Sequence, residues 1–380
     1  MPDRPLLDRI PVSVKGLLVL LALYLFLIGI GAMSTAMKSV GLGYVQGLLG
    51  SEAHPVVALF VGILATTLVQ SSSTTTSLLV GMVASGAVPF EAAVFMVMGA
   101  NIGTTVTNTI VSLGHIGHSN EFRRAFAAAT VHDFFNLIVV ALLFPLEWAT
   151  GALSWVARQL TQAFQGAGGL KLADPIKAMT KPAIGALKDC CNWISQEHGG
   201  LILLIVAILA TFVALIALVK LLKSIMVTKL ENLFDRVIFR SPYRALAFGF
   251  VVTVLVQSSS ITTSVAVPLV AAGIITIHQV VPYTMGANIG TTVTALLAAL
   301  GALAVAEPGD HDEAILALQI AFLHTTFNVF GTALLWRLRF IPIALAQGFA
   351  RLAAWNRALP LVYILVAFYL VPFLVVFFGR

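Results

Sequence analysis

The strongest constraint on this chain is the stretch 245–306, which contains no Asp, Glu, Lys or Arg. A water-soluble domain carries roughly 25% charged residues. This chain of 380 residues carries 10%, is 59% hydrophobic and has a mean hydropathy of +0.98. A transmembrane helix needs about 20 apolar residues, so the stretch is long enough for at least two crossings. The sequence therefore predicts an all-α integral membrane protein.

The net charge of +6 does not indicate a nucleic-acid partner, because Lys and Arg gather in the cytoplasmic loops of membrane proteins. We therefore expect the lipid bilayer as a partner and no nucleic acid. The long apolar runs predict a multi-pass protein of the cell membrane. The basic residues near the N-terminus predict that this end lies in the cytoplasm. The run 16–37 lacks a signal-peptide cleavage site, and we interpret it as a retained helix.

Two polar strings interrupt the apolar sequence. The first is Gln-Ser-Ser-Ser-Thr-Thr-Thr-Ser at 70–77, and the second is Gln-Ser-Ser-Ser-Ile-Thr-Thr-Ser at 257–264. Polar groups in hydrocarbon surroundings are costly unless they line a cavity or bind something. The apolar runs beside the first string, 55–69 and 77–88, are each too short to span a bilayer. This pattern predicts a re-entrant hairpin or a broken helix.

The two strings belong to an internal duplication. Pro55 and Pro242 are separated by 187 residues, as are the two glutamines, and MGANIGTTVT occurs at 98–107 and again at 285–294. We divide the chain into a cytoplasmic N-terminus (1–15), a first repeat (16–165), an extracytoplasmic linker (166–198), a second repeat (199–357) and a C-terminal transmembrane helix (358–380).

Opposite charge at equivalent loops predicts that the two repeats have inverted topology. The loop 114–124 ends in two arginines, whereas the matching loop 301–313 carries four acidic residues and no basic one. The loop before the first copy, 38–54, has one Lys, whereas the segment before the second copy, 220–244, has six basic residues. Lys and Arg mark the cytoplasmic side, so the copies are expected to face opposite ways, as the repeats of many transporters do.

A broken helix offers ligands of both signs. Unpaired N–H groups at a helix start favour an oxyanion. Carbonyl groups at a helix end, together with Ser, Thr, Asn and Gln oxygens, suit a hard cation such as Na⁺. Inverted repeats bring two such breaks together near the bilayer midplane. An anion and several cations are therefore expected to share one site.

At these residues the chain resembles the type II sodium-phosphate cotransporters, whose signature is a Gln-Ser-Ser-Ser string in each of two repeats. The segment EFRRAFAAATVHDFFN at 121–136 also resembles that family, and the similarity extends over most of the chain. The resemblance implies sodium-driven import of inorganic phosphate by alternating access, with both ions held between the two strings. The chain lacks the long central ectodomain of the animal proteins, which favours a compact bacterial member.

The resemblance and the chemistry of the breaks together nominate the site residues. Phosphate is expected at the hydroxyl-rich helix starts, formed by Ser71, Ser72, Ser73, Thr74, Ser258, Ser259 and Ser260. Sodium is expected at the amide and hydroxyl oxygens of Gln70, Gln257, Asn101, Thr104, Thr105, Asn288, Thr291, Thr292 and Thr262. Na⁺ is a co-transported ion rather than a cofactor. No cofactor and no enzymatic activity are expected. No transition-metal site is expected either, because no Cys/His metal spacing is present.

Several alternatives stay open at the level of sequence. The Ser/Thr clusters suit hydrogen bonds between helices, and the Gly-Ala-Asn-Ile-Gly-Thr-Thr strings suit tight packing as well as sodium ligation. His132 and His324 suit a buried structural role or a proton relay. Asp133 suits a functional site or a pair with Arg123 or Arg124, and Glu91 suits a capping role.

Other functions also stay open. The transported anion is phosphate or another oxyanion, such as sulfate or arsenate. Sodium stoichiometry and oligomeric state are not set by the sequence. A remote alternative is an intramembrane serine hydrolase with His132 or His324 as its base. It is disfavoured because each such group is present twice and no G-x-S-x-G elbow surrounds either string.

Overall fold

The computed structural model describes residues 10–40, 54–169, 173–230, 241–306 and 308–379, and within these ranges the chain is helical with no strand. This confirms the all-α prediction. The predicted segments 1–15, 38–54 and 220–244 fall partly on residues 1–9, 41–53 and 231–240, which lie outside the described residues.

Fifteen helices are described within these ranges, in addition to one short 3-10 turn, Pro308–Asp310. The last of these helices has a π-helical centre, Ile364–Leu370. In chain order the helices are α1 Val12–Val40, α2 Pro55–Val69, α3 Ser72–Ala84, α4 Phe90–Gly103, α5 Val106–Leu113, α6 Ser119–Thr150, α7 Ala152–Gly166, α8 Ala173–Ile194, α9 Gly199–Leu230, α10 Pro242–Val256, α11 Ser259–Ala271, α12 Ile277–Val305, α13 His311–Leu335, α14 Phe340–Trp355 and α15 Leu359–Phe378.

The described part of the chain contains seven helical segments long and apolar enough to cross a membrane. They are Val12–Met37, Phe90–Leu113, Ser119–Thr150, Gly199–Leu218, Ile277–Val305, His311–Leu335 and Leu359–Phe378. Helices α2, α10, α11 and α14 are apolar but shorter. The chain is therefore a multi-pass membrane protein that combines full spans with short helices.

The short helices end where a glutamine enters a left-handed conformation. Both α2 and α10 begin with Pro at the first helical position, where a missing N–H has no cost. They end at Gln70 (φ 57°, ψ 26°) and Gln257 (φ 57°, ψ 25°). Among the described residues these are the two non-glycine residues with positive φ. Such geometry is uncommon for a side chain larger than Gly, so the two breaks are specific and alike.

The next helices begin at the serines rather than after them. Ser71 and Ser258 are extended, and the Oγ of each accepts a bond from a backbone N–H three residues later, at 3.2 Å in the first copy and 3.4 Å in the second. This serine cap starts α3 at Ser72 and α11 at Ser259. Helix α3 therefore includes most of the Ser/Thr string and begins before the apolar run 77–88.

The two hairpins, α2–α3 and α10–α11, open at opposite ends of α12. Val270, next to the last residue of α11, lines one cavity with Ile277, the first residue of α12. Ala84, the last residue of α3, lines another cavity with Val305, the last residue of α12. Helix α12 has 29 residues, a length of about 43 Å. The open ends of the two hairpins therefore lie near opposite ends of this helix.

Aromatic contacts agree with this arrangement. His54, before the first hairpin, packs on Trp148 near the end of α6, with ring centroids 5.4 Å apart. Tyr243, at the start of the second hairpin, packs on Trp336 after the end of α13, at 5.1 Å. Helices α6 and α13 occupy corresponding places in the two copies. Each hairpin therefore enters beside the end of its own copy's long helix.

Three segments gain detail from the structure. Helix α6 continues through Pro145 to Thr150, and α7 starts after Gly151, capped by Glu147 Oε2, which accepts from Leu153 N at 2.6 Å. The linker 166–198 contains α8, which packs on α1, α9 and α12. The repeated Gly-Ala-Asn-Ile-Gly-Thr-Thr string interrupts the helix in the first copy, between α4 and α5, but α12 runs through it unbroken.

Candidate functional site

The glutamine at the first break is held by three hydrogen bonds. Gln70 N donates to Thr66 O at 2.7 Å and Nε2 donates to Thr67 O at 2.5 Å, so both bonds tie the residue to the end of α2. Its Oε1 accepts from Thr107 Oγ1 of α5 at 3.0 Å. The side chain therefore links the end of the broken helix to the next element of the same copy.

The second break repeats this arrangement. Gln257 N donates to Thr253 O at 2.7 Å, Nε2 donates to Val254 O at 2.5 Å, and Oε1 accepts from Thr294 Oγ1 at 2.6 Å. Every partner is separated from its counterpart by 187 residues. The two copies thus reproduce the local structure as well as the sequence.

The serines after each glutamine lie at buried helix starts. Ser72 and Ser73 are 4% and 3% exposed, and Ser259 and Ser260 are 3% and 5% exposed. The first backbone N–H groups of α3 and α11 have no partner within their own helices, and each serine cap satisfies one of them. The remaining N–H groups and hydroxyls make each start suited to an oxyanion. Neither start contains a basic residue.

One turn of the first copy contacts both breaks. Thr107 bonds Gln70, as described above. Thr104 O accepts from Ser260 Oγ at 3.4 Å, and Asn108 Nδ2 donates to Thr263 Oγ1 at 2.8 Å. The segment 104–108 spans the point where α4 ends and α5 begins. The two Gln-Ser-Ser-Ser breaks are therefore held against the same interrupted helix, deep among buried residues.

The nominated sodium ligands are largely buried, and many of their polar groups bond to their own helices. The hydroxyls of the five nominated threonines donate to carbonyls three or four residues earlier, and so does the Asn101 amide. The five threonines are Thr104, Thr105, Thr262, Thr291 and Thr292. A hydroxyl that donates to a carbonyl keeps its oxygen lone pairs for a cation.

An asparagine–histidine network joins the two copies. His132 Nε2 lies 2.6 Å from Asn288 Oδ1, and Asn288 Nδ2 donates to Asn136 Oδ1 at 2.8 Å. Asn136 Nδ2 in turn donates to Asn101 O at 2.8 Å. Because the amide of Asn288 is directed at Asn136, its oxygen faces the ring and the ring proton lies on Nε2. His132 Nδ1 then faces Asn108 Nδ2 at 3.4 Å.

The equivalent residues of the second copy form no such network. His324 is fully buried, and neither ring nitrogen has a hydrogen-bond partner among the described residues. Asn328 Oδ1 also has none, while Asn328 Nδ2 donates to His324 O of its own helix. Asn101, the counterpart of Asn288, donates to Val97 O. The two copies are therefore alike in sequence but differ in these bonds.

Asp133 is a buried carboxylate beside the same turn. Its Oδ2 accepts from Tyr363 OH of α15 at 3.0 Å, and its Oδ1 has no partner among the described residues. The suggested pair with Arg123 or Arg124 is not formed: Arg124 Nε instead donates to Ala271 O at 2.8 Å. An intramembrane acid with a free oxygen remains a candidate cation ligand. Glu91 lies in the first turn of α4, where a helix dipole favours it.

Sequence reasoning missed some of the residues that build this site. Thr107 and Thr294, which bond the glutamines, could have been nominated because both lie in the repeated string. Asn108 and Tyr363 carried no such signal, because their contacts bridge distant segments. The hydrolase alternative gains no support, since no serine hydroxyl among the described residues bonds His132 or His324.

Comparisons with known proteins agree on one family. The family model described as Na+/Pi-cotransporter matches residues 25–181 and 211–353. The sodium-dependent phosphate transport protein 2A of Rattus norvegicus is 37% identical over 426 residues, covering 93% of this chain and 66% of that protein. The sodium-dependent phosphate transport protein 2B of Homo sapiens is 33% identical, covering 94% and 64%. The chain thus spans just under two thirds of these relatives. No solved structure matches it.

Proposed function

Because the chain belongs to the Na+/Pi-cotransporter family, we propose that it is a sodium-coupled secondary active symporter that imports inorganic phosphate by alternating access. The family is one of transporters and not of enzymes. The relatives named above carry sodium-dependent phosphate transport in their names. The observation that supports the assignment most directly is the pair of buried serine-capped helix starts held against one turn, 104–108.

Phosphate binds at these two helix starts in our proposal. Backbone N–H groups and hydroxyls stabilise an oxyanion without a basic side chain, which suits an ion that must also leave. The proposed phosphate ligands are Ser71, Ser72, Ser73, Thr74, Ser258, Ser259 and Ser260. An oxyanion of similar shape, sulfate or arsenate, is the alternative cargo, and competition with labelled phosphate would separate the three.

Sodium binds at the adjoining amide and hydroxyl oxygens in our proposal. Uncharged oxygens together with helix-end carbonyls are ligands suited to a hard cation. The buried Asp133 side chain supplies a carboxyl oxygen without a hydrogen-bond partner among the described residues. The proposed sodium ligands are Gln70, Gln257, Asn101, Thr104, Thr105, Asn288, Thr291, Thr292 and Thr262.

Alternating access is proposed to proceed by exchange between two inverted repeats. Two observations support it: the open ends of the two hairpins lie near opposite ends of α12, and the histidine–asparagine bonds are made by His132 but not by its counterpart His324. If the copies exchange conformations, His324 gains Asn101 as its partner when His132 loses Asn288. The protein then has two states of similar construction that face opposite sides.

A transport assay tests the assignment. We expect purified protein in liposomes to accumulate labelled phosphate when sodium is high outside, and to stop when the sodium gradient is collapsed. Ser72→Ala and Ser259→Ala should each reduce uptake at least about tenfold, because each removes a hydrogen bond to a charged ligand. Ser39→Ala, which changes an exposed serine at the end of α1, serves as the matched control.

Two outcomes would argue against the proposal. Uptake indifferent to the sodium gradient would contradict coupling, and an activity that tolerates either single alanine would contradict a shared site. Charge movement in the same liposomes separates the stoichiometries, since three Na⁺ per divalent phosphate is electrogenic and two are electroneutral. Each net charge moved is worth about 2.3 kcal/mol per 100 mV.

A further inference from the structure

We propose that a cavity beside the second hairpin is a second anion site, which binds a phosphate group carried either by a soluble ion or by a lipid headgroup. The site lies beside the C-terminal end of α11, away from the helix breaks, and extends beyond the transport function proposed above. We call it the arginine cavity and define it by Arg123, Arg124, Arg351 and His278.

The arginine cavity has the size and charge of an anion pocket. Its volume is about 430 Å³, and no Asp or Glu lines it. Arg123 and Arg124 come from the first turns of α6, Arg351 comes from α14, and His278 comes from the start of α12. A planar guanidinium pairs with phosphate through two parallel hydrogen bonds. Three of them on one concave surface favour a ligand with several anionic oxygens.

These charges have no anionic partner in the described part of the chain. No carboxylate among the described residues lies within ion-pair distance of the three arginines, and the nearest histidine–carboxylate contact, His115 Nδ1 to Glu121 Oε2 at 3.6 Å, does not involve them. Guanidinium groups that line one cavity repel one another, and an anion bound among them would offset that repulsion. The positive-inside rule accounts for arginines at this face, but it does not require two separate helices to direct them into one cavity.

Part of the cavity is already ordered for binding. Arg124 Nε donates to Ala271 O at 2.8 Å, which anchors the guanidinium to the end of α11 through one nitrogen. The first turn of α12 is at the same place, where Thr276 and Ile277 line the cavity. A long helix directs partial positive charge from its N-terminus. The helix start and the arginines therefore favour the same ligand charge.

An adjoining cavity supports a lipid headgroup as one of the two sources of the phosphate group. His278 also lines this second cavity, together with Trp336, Arg337, Arg339 and Phe340. The Arg339 guanidinium lies 5.4 Å from the centroid of the Trp336 ring. Aromatic rings concentrate at the membrane–water interface, and basic pockets between membrane helices bind anionic headgroups. A free phosphate ion, the proposed cargo, has the same oxygen chemistry.

Protection of an introduced cysteine tests the arginine cavity directly. In full-length protein carrying Cys190→Ala and Cys191→Ala, the substitution Gln347→Cys places one thiol on the cavity wall. The rate of its modification by a charged thiol reagent is measured in phosphatidylcholine nanodiscs, with inorganic phosphate or with chloride at equal ionic strength. A second series without phosphate uses nanodiscs that also contain phosphatidylglycerol. We expect protection in one series or in both, and the protecting series identifies the source.

Substitutions of single arginines test whether their side chains bind the protecting ligand. Arg123→Gln and Arg351→Gln should each raise the concentration of the protecting ligand needed for half-protection about tenfold, because each removes a charged hydrogen bond. We leave Arg124 unchanged because its bond to Ala271 also supports the fold. Arg158→Gln, which changes an exposed arginine of α7 outside the cavity, should have no effect.

The outcomes separate this site from the transport function. Protection that is absent in both series, or equal protection in wild-type and arginine variants, overturns the proposal. Modification of the thiol introduced by Gln347→Cys does not require transport. In a Ser72→Ala variant this thiol should therefore remain protected even where the variant fails to accumulate phosphate. If Ser72→Ala abolishes protection too, the anion bound is the one at the helix breaks, and the arginine cavity is not a separate site.

Discussion

At the scale of single residues, the two glutamines are the least ordinary part of the molecule. Gln70 and Gln257 combine a left-handed backbone with bonds from both ends of the side-chain amide. A left-handed conformation costs a non-glycine residue roughly 1–2 kcal/mol. A neutral hydrogen bond returns about 1 kcal/mol each. The side chain therefore stabilises a turn that glycine would form more easily, which indicates that the amide itself is needed there.

This balance between backbone strain and hydrogen bonds predicts the relative stability of two substitutions at Gln70. Gln70→Gly relieves backbone strain while losing the amide bonds, so its melting temperature should remain near that of the parent while phosphate uptake falls. Gln70→Val loses the bonds and adds a β-branched side chain at positive φ, so it should be less stable than Gln70→Gly by about 1 kcal/mol or more. Thermal unfolding in detergent measures both.

An ordinary helical position provides the control for this order. At Gln162, exposed on α7, valine should be more stable than glycine, because glycine is the poorer helix former. The ranking of the two substitutions should therefore reverse between positions 70 and 162. The same ranking at both positions would contradict the importance of the left-handed turn.

At the scale of helices, glycines set the distance between the second and fourth helices of each copy. A Cβ on Gly62 of α2 would overlap the backbone oxygen of Met96 in α4, and a Cβ on Gly99 would overlap that of Leu59. Gly249 and Gly286 make the same approach between α10 and α12. Small residues allow such backbone contact in membranes. This packing brings the repeated Asn and Thr residues next to the breaks.

We predict that Gly286→Ala destabilises the protein strongly, because the added methyl meets the backbone of Leu246, which cannot rotate away. Overpacking of this kind costs about 1–3 kcal/mol, sometimes more. Gly348→Ala in α14, where a Cβ meets open space, should be neutral or stabilising by up to about 1 kcal/mol. Melting temperature and the monodisperse fraction on size exclusion measure both, and equal effects would argue against close packing.

At the scale of the whole molecule, the informative feature is the difference between the copies. His132, Asn136 and Asn288 are bonded to one another, whereas His324 and Asn328 keep unpartnered polar atoms in the interior. An unpaired buried polar atom costs about 1–3 kcal/mol. If the copies exchange conformations as proposed, the unpaired polar atoms change from one copy to the other during transport, and their total free-energy cost is the same in both states.

The exchange predicts opposite effects of two equivalent substitutions. Asn288→Ala removes two side-chain bonds of the present state, and Asn101→Ala removes those proposed for the opposite state. A reporter cysteine at Ser264 in a Cys190→Ala, Cys191→Ala background is modified from either side of the membrane in turn. The ratio of the two rates should shift in opposite directions, each on the order of tenfold. Shifts in the same direction would refute the exchange but not sodium-coupled transport.

Much of this protein was accessible from sequence because membrane burial leaves a strong local signal. The charge-free stretch 245–306 and the low charge content predict a helical membrane protein, and the structure confirms it. The bounds of α2, Pro55–Val69, follow from a proline and a glutamine that flank an apolar run. Family membership follows from two repeated motifs, and the family match confirms it. Each of these inferences depends on residues that are close together in the chain or repeated at a fixed offset.

The tertiary structure decided the features that depend on contacts between residues far apart in sequence. The same repeated string ends a helix at Gly103 yet continues through Gly290 in α12, so neighbours rather than local sequence determine whether it breaks. Likewise His132 and His324 occupy equivalent positions, and only three-dimensional contacts distinguish the bonded from the unbonded one. Local sequence sets helix formation and burial, whereas the polar bonds of a membrane interior depend on which helices meet.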